Sequence, residues 1–279
     1  MPASGSPERV AATTGGSRHA RPPLLLVVPA VLGLGFLVLP LVALVLRAPW
    51  SALPGQLAGP EVLDALRLSL VTATLATAVC VLLGVPLAWV LARTDLPGKR
   101  LVRALVTVPL VLPPVVGGVA LLMLLGRSGL VGERLDAWFG ITVPFTTAAV
   151  VLAEAFVAMP FLVIAVEGSL LGADRRYEVA AATLGASRLT VFRRVTLPLV
   201  APGVVAGGVL CFARALGEFG ATITFAGSFP GVTTTMPILV YLRLQSAPAT
   251  AIVLSLVLLV VSVLVLASLR DRWVRGGLS

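Results

Sequence analysis

The chain has 279 residues, of which 58% are hydrophobic and 12% charged, and its mean hydropathy is +1.05. A composition this apolar leaves too little polar surface for a soluble protein, so it excludes a soluble globular domain and indicates an integral membrane protein. The formal net charge of +9 comes from basic residues that alternate with long apolar runs. This arrangement favours a role in membrane orientation over nucleic-acid binding.

Six apolar segments are long enough to cross a membrane as helices. Residues 1–23, rich in Pro, Gly, Ser, Ala and Arg, are predicted to form a disordered cytoplasmic tail. The first transmembrane helix follows at residues 24–47, which is too long for the apolar core of a signal peptide. The other five are predicted at about 66–91, 101–125, 144–171, 199–225 and 250–269, within a transmembrane domain of residues 63–270. The predicted fold is therefore all-α with six transmembrane helices.

The third of these spans is interrupted by Pro109, Pro113 and Pro114. Each proline removes a backbone donor, so we expect this helix to be kinked or packed against neighbouring helices. Turn-rich loops at residues 47–64, 127–143 and 226–249 are predicted to lie outside the cell.

The distribution of basic residues predicts that both termini are cytoplasmic. Of the 21 Lys and Arg residues, 15 lie in segments assigned to the cytoplasm. They are Arg9, Arg18, Arg21, Arg93, Lys99, Arg100, Arg103, Arg175, Arg176, Arg188, Arg193, Arg194, Arg270, Arg272 and Arg275. Cytoplasmic loops carry this excess in membrane proteins, so the segment between the fourth and fifth spans is also predicted to be cytoplasmic.

The sequence carries no pattern for catalysis or for metal binding. Cys80 and Cys211 lie in apolar runs, and the only histidine is His19, in the predicted tail, so neither a disulfide nor a metal site is expected. The phosphate-binding pattern G-x-x-x-x-G-K-[ST] is absent. We therefore expect a transport subunit rather than an enzyme, with no cofactor of its own; if ATP drives it, ATP and Mg²⁺ bind to another polypeptide.

Residues 177–198, YEVAAATLGASRLTVFRRVTLP, form the most regularly patterned polar segment between two spans. Small and apolar residues at helical spacing predict a short helix, a turn at Gly185, a second short helix and a stop at Pro198. The alternative is an ordinary basic loop. The regular pattern favours a surface that docks into a partner.

This segment resembles the EAA loop of ABC importer permeases. The resemblance rests on Ala180, Ala181, Gly185 and the Leu197–Pro198 pair at the family's spacing. Val179 stands where the family has Glu, and Glu178 comes one residue earlier, which points roughly 100° away on a helix. The resemblance implies contact with an ATPase through Glu178, Ala180, Ala181, Gly185, Ala186, Ser187, Leu197 and Pro198.

A few ionisable residues lie within the predicted spans, namely Glu154, Glu167, Arg214 and Glu218. Arg214 and Glu218 are four residues apart on one predicted helix face and can pair. The pair either only offsets its own cost of burial or lines the path of an anion. The candidate path residues are Arg214, Glu218, Thr222, Thr224, Ser228, Thr233 and Thr234, since hydroxyl groups are neutral donors to an oxyanion. The alternative for the hydroxyls is a solvated surface.

A second resemblance narrows the family. FARALGEFGATITFAGSFPGVTTTMPILVYL, residues 212–242, and PLVLPPVVGGVALL, residues 109–122, are similar to molybdate permease subunits, and sulfate and thiosulfate permeases share much of the pattern. The resemblance implies a type I ABC importer in a prokaryotic plasma membrane. Two permease copies, two ATPase subunits and an extracytoplasmic oxyanion-binding protein would assemble, with no nucleic acid involved. Molybdate is the first candidate substrate; sulfate, thiosulfate and tungstate are alternatives, and a secondary anion transporter driven by an ion gradient is a more distant one.

Overall fold

The computed structural model describes residues 24–276, so the predicted tail of residues 1–23 lies outside the described residues. The chain divides after Leu46 into two units. The first unit contains one helix, α1 (Leu24–Leu46), with Pro29 and Pro40 inside it. Its 23 residues are enough to cross the hydrocarbon core.

The second unit is helical throughout its regular structure. Its helices are α2 (Leu53–Leu57), α3 (Pro60–Arg93), α4 (Lys99–Val111), α5 (Pro114–Leu125), α6 (Gly132–Phe139), α7 (Thr147–Gly172), α8 (Arg176–Thr183), α9 (Arg188–Val191), α10 (Leu197–Leu216), α11 (Gly220–Ala226), α12 (Met236–Ser246) and α13 (Pro248–Gly276). One π-helical turn, Phe192–Thr196, joins α9 to α10.

The core of this unit lies where α3, α7 and α10 pack together. Many of the buried residues are small, among them Ala76 and Cys80 of α3 and Ala158 of α7. Small side chains let helix backbones approach closely, which is how helices gain packing energy in lipid. A Cβ on Gly203 would overlap the Ser169 side chain of α7. Gly203 and Gly207 of α10 therefore lie on the face that packs on α7.

The third predicted span is broken. α4 and α5 are bent by 116° where Leu112 and Pro113 are extended. Pro114 can begin α5 because the first residue of a helix needs no backbone donor. The expected effect of the prolines is confirmed, and it is a break rather than a kink.

The predicted fifth span, residues 199–225, is wrong at both ends. Its helix starts earlier and ends at Leu216, and α11 begins after a turn at Gly217–Phe219. The Glu218 carboxylate accepts a hydrogen bond from the Ala221 amide at 2.8 Å, which starts the new helix. A Cβ on Gly220 would lie 2.9 Å from Pro114, so α11 packs against the start of α5.

Each of the three predicted external loops contains a helix that was not predicted from the sequence. The loop at residues 47–64 includes α2, the loop at 127–143 includes α6, and the loop at 226–249 includes α12. Thr235 precedes α12, and Pro237 lies in its first turn, which are ordinary signals for the start of a helix. The Met236 amide donates to the Ser69 hydroxyl at 2.7 Å, which ties α12 to α3.

Five helices of the described residues are long and apolar enough to cross a membrane, and there are six when the bent pair α4–α5 is counted as one broken span. The count agrees with the predicted six. The cytoplasmic placement of the two termini stays a prediction.

Candidate functional site

The two short helices predicted in residues 177–198 are present as α8 and α9. Gly185 lies between them with φ +85°, a left-handed conformation that glycine adopts without steric strain. The Ser187 hydroxyl accepts a hydrogen bond from the Thr190 amide at 3.3 Å and so caps α9. The turn is therefore fixed by local chemistry at two of the predicted docking residues.

The predicted helix stop at Pro198 is wrong, because one continuous helical stretch runs from Arg188 to Leu216. The Leu197 amide bonds to the Phe192 carbonyl, five residues back, which closes the π-helical turn. A proline normally collides with the carbonyl four residues before it, here that of Arg194. The wider π-helical turn gives room for the ring, so the second docking helix joins the fifth span directly.

Much of the surface of α8 and α9 is left exposed by the described residues 24–276. Neither helix contains a buried residue, and Leu184, in the turn between them, is 88% exposed. Of the predicted docking residues, Ala180, Gly185, Ser187 and Pro198 are exposed, while Glu178, Ala181, Ala186 and Leu197 are partly buried. The exposed set adds large apolar side chains that the prediction did not include: Tyr177, Val179, Leu184 and Leu189.

Glu178 faces the rest of the chain. Its Oε1 atom accepts from Arg93 Nε at 3.1 Å and from the Thr196 hydroxyl at 3.0 Å. The side chain of Glu178 is 14% exposed and that of Arg93 only 5%. The structure thus brings together three residues that are distant in sequence, and local sequence patterns gave no signal for Arg93 or Thr196.

A cavity of about 470 Å³ opens beside this cluster. Trp89 and Phe192 form one wall, with their rings edge to face at 5.9 Å. Arg175 and Arg188 lie on its basic side. The cavity is therefore partly aromatic and partly cationic.

Arg214 and Glu218 pair as predicted, with Arg214 Nη1 2.7 Å from Glu218 Oε2. They do not share a helix, because α10 ends at Leu216. The Glu218 side chain is 1% exposed, whereas 27% of the Arg214 side chain is exposed. Arg214 is therefore the member of this pair whose side chain is accessible from outside the helix core.

The predicted hydroxyl residues lie around α11 and the loop that follows it. Thr222, Thr233 and Thr234 are buried, so the solvated-surface alternative is wrong for them. Ser228 and Thr234 bond to each other at 3.0 Å, which stabilises the loop.

Two further hydroxyls make local hydrogen bonds. Thr233 accepts from the Phe229 amide at 2.9 Å, and the Thr224 hydroxyl donates to the Gly220 carbonyl at 2.8 Å. The buried Thr222 hydroxyl has no hydrogen-bond partner among the described residues.

Glu154 of α7 is 1% exposed and is the other carboxylate buried in the core. Its Oε1 atom accepts from the Thr72 hydroxyl of α3 at 2.9 Å. Glu167, by contrast, pairs with Arg103 in the first half of α4. The ionisable residues predicted at membrane depth thus all find polar partners on other elements or in the adjoining turn.

The multi-span helical fold, with a pair of short helices between two spans, is typical of membrane transport permeases. Over residues 84–276 the chain matches the family described as the inner membrane component of binding-protein-dependent transport systems. The chain belongs to this family. It is an inner-membrane, multi-pass protein and a permease subunit of the ABC importer type.

Two curated relatives and one solved structure illustrate the similarity. The molybdenum transport system permease protein ModB of Mycobacterium bovis is 53% identical over 88% of this chain and 92% of its own length. The sulfate transport system permease protein CysT of Salmonella typhimurium is 37% identical over 86% of this chain and 88% of its own. A crystal structure of a bacterial ABC transporter that imports the polysaccharide alginate superposes with a TM-score of 0.71 at 16% identity, covering 90% of this chain and 94% of that chain.

Proposed function

We propose that this chain is the permease subunit of an ATP-driven importer of a tetrahedral oxyanion, with molybdate as the substrate. The observation that carries the proposal is the uncovered pair of short helices between two spans, at the spacing of an ATPase-docking segment. The higher identity to the molybdenum permease than to the sulfate permease supports molybdate. Sulfate, thiosulfate and tungstate remain alternative substrates.

The proposed assembly contains two copies of this chain, two ATPase subunits and an extracytoplasmic oxyanion-binding protein. The exposed apolar residues Val179, Leu184 and Leu189 support docking, since apolar side chains uncovered on a polar loop favour burial by a partner. ATP and Mg²⁺ would bind to the ATPase. Hydrolysis would thus occur on the partner and reach this chain through α8 and α9.

We propose that the anion passes Arg214. Its guanidinium supplies positive charge, and Glu218 balances that charge so that the anion is not held too tightly. Thr224 and Ser228 are partly exposed near this pair in sequence and would donate neutral hydrogen bonds. The buried Thr222, Thr233 and Thr234 would support the shape of the path.

Reconstitution into vesicles tests the proposed function. The permease is purified with the ATPase and binding protein encoded beside it, and uptake of molybdate, tungstate and sulfate is measured with and without ATP. We expect molybdate uptake that requires both partners and ATP and that persists when a protonophore removes the proton gradient. Uptake without ATP that collapses with the gradient would instead indicate a secondary transporter, and a preference for sulfate would correct the substrate.

A further inference from the structure

The three-residue cluster of Arg93, Glu178 and Thr196 joins three elements. Arg93 is the last residue of α3, Glu178 lies in the first turn of α8, and Thr196 ends the π-helical turn. One carboxylate oxygen, Glu178 Oε1, lies 3.1 Å from both Arg93 Nε and Nη2 and 3.0 Å from the Thr196 hydroxyl. A single side chain of α8 thus holds both the end of α3 and the start of the fifth span.

This cluster is the main inward anchor of α8. The helix has no buried residue, and it lies against α9 and the π-helical turn rather than in the hydrophobic core. Apolar packing links α8 to α3 indirectly, through the π-helical turn, where the Phe192 ring lies 5.9 Å from the Trp89 ring of α3. Glu178 links them directly, because its carboxylate bonds to Arg93, the last residue of α3.

The burial of the pair makes the link stiff. Arg93 is 5% and Glu178 14% exposed in their side chains, and Thr196 is buried. Separating α8 from α3 would leave a nearly buried guanidinium without its counter-charge, which is costly. An exposed ion pair would give way much more easily.

α3 connects the cluster to the core helices α7 and α10 and, at its other end, to α12. It is a helix of 34 residues that packs on α7 and α10, and Thr72 in its first half bonds to Glu154. At its opposite end Glu61 pairs with Arg243 of α12. A movement of α8 that displaces Arg93 therefore also displaces α3, which packs on both other helices of the core.

We propose that Arg93, Glu178 and Thr196 form a clasp that makes α8 and the C-terminal end of α3 move together when the docked ATPase moves. This inference rests on the proposed function and adds the route by which docking acts on the spans. It assigns Glu178 a positioning role inside this chain instead of a contact with the ATPase. Arg93 becomes a coupling residue although it lies outside the docking segment.

The test compares uptake per ATP hydrolysed in vesicles that contain the complete complex. Glu178→Ala and Arg93→Gln each open the clasp, so we expect the ATPase to copurify as with the wild type while uptake per ATP falls about tenfold. Glu167→Ala is the control, because it removes another Arg–Glu pair with a largely buried carboxylate, Arg103–Glu167, which does not involve α8. The control is expected to keep the wild-type ratio.

A double variant tests whether any stabilising contact between α3 and α8 preserves coupling or whether the ion pair itself is required. It also keeps the test informative if the single variants misfold. Arg93→Met with Glu178→Leu replaces the ion pair by an apolar contact, which is often neutral for stability. We expect this variant to recover most of the wild-type ratio of uptake to hydrolysis.

Four results would overturn the clasp. They are a wild-type ratio in both single variants, loss of the ATPase from Glu178→Ala, an equal loss of coupling in Glu167→Ala, and a folded double variant that stays uncoupled. All of them leave the proposed function standing, whereas failure of the wild-type permease to bind an ATPase would remove the proposed function itself.

Discussion

At the scale of single residues, charge and burial distinguish two kinds of ion pair in this chain. Arg214 and Glu218 combine a buried carboxylate with a partly exposed guanidinium. Arg243 pairs with Glu61 at the N-terminal end of α3, and both side chains are at least one-third exposed. The Arg214–Glu218 pair contributes to transport only if the exposed part of Arg214 contacts the anion. The Arg243–Glu61 pair has no proposed contact with the anion and serves as a comparison.

The double substitution of Arg214→Gln with Glu218→Gln tests this role. Removing Arg214 alone would leave a buried carboxylate unpaired at a cost of about 3–5 kcal/mol, so the single variant would confuse folding with transport. The double variant is expected to fold and to retain the ATPase, while molybdate uptake falls roughly tenfold, as loss of one charged hydrogen bond of about 1.5 kcal/mol would give.

Arg243→Gln with Glu61→Gln is the matched control, with normal uptake expected. Normal uptake in the Arg214→Gln, Glu218→Gln variant as well would show that the first pair only offsets its own burial. Uptake assays with labelled molybdate in reconstituted vesicles provide the measurement.

At the scale of elements, local rules in the sequence were sufficient for some features and not for others. The break at Pro113 and the turn at Gly185 follow from backbone chemistry that one or two residues determine. The π-helical turn that carries the chain through Pro198 could not be predicted, because it depends on continuity with the packed fifth span. The contact of Glu178 with Arg93 joins distant segments, and a single sequence contains no signal for it.

The predicted boundaries of the fifth span are wrong for a similar reason. Apolar composition continues from Leu216 through Phe225, so composition alone predicts one helix. The turn between them depends on the Glu218 cap and on the fit of Gly220 against Pro114 of another span. α12 could have been found from Thr235 and the proline in its first turn.

Gly185 provides a prediction at this scale, because it sets the angle between α8 and α9. Gly185→Val forces a β-branched residue into the left-handed region at φ +85°, at a cost of roughly 1–2 kcal/mol. We expect less ATPase to copurify and molybdate uptake to fall, whereas Gly185→Asn, which tolerates this conformation, retains most of both.

Gly208→Ala is the control, since nothing lies within 4 Å of a Cβ at that helical position. Copurification and uptake are measured for all three variants. Equal, wild-type values for the Val and Asn variants would show that the turn does not contribute to docking.

At the scale of the whole molecule, the distribution of basic residues predicts the orientation of the chain in the membrane. The excess of Lys and Arg predicts that α8 and α9 face the cytoplasm and that α6 lies outside. The two native thiols, Cys80 and Cys211, are buried at 0% exposure, so thiol-reactive reagents have little background target.

Cysteine labelling of the permease expressed without its ATPase tests this orientation. Trp138→Cys, at a site that is 73% exposed, should react with a membrane-impermeant maleimide in intact cells. Leu184→Cys, at a site that is 88% exposed, should react only after the membrane is permeabilised. The reverse pattern would place the helix pair outside and exclude an intracellular ATPase as its partner.

The π-helical turn also changes which residues share a face of the fifth span. It inserts one residue relative to a regular helix, so every position after Thr196 is rotated by roughly 100° from where a continuous helical wheel would put it. A wheel started at Arg188 would therefore turn Gly203 and Gly207 away from α7. Crosslinking pairs chosen from such a diagram would probe the wrong side of the helix, whereas deletion of one residue within the turn would remove the extra residue and keep the two ends of the span in the same rotational relation.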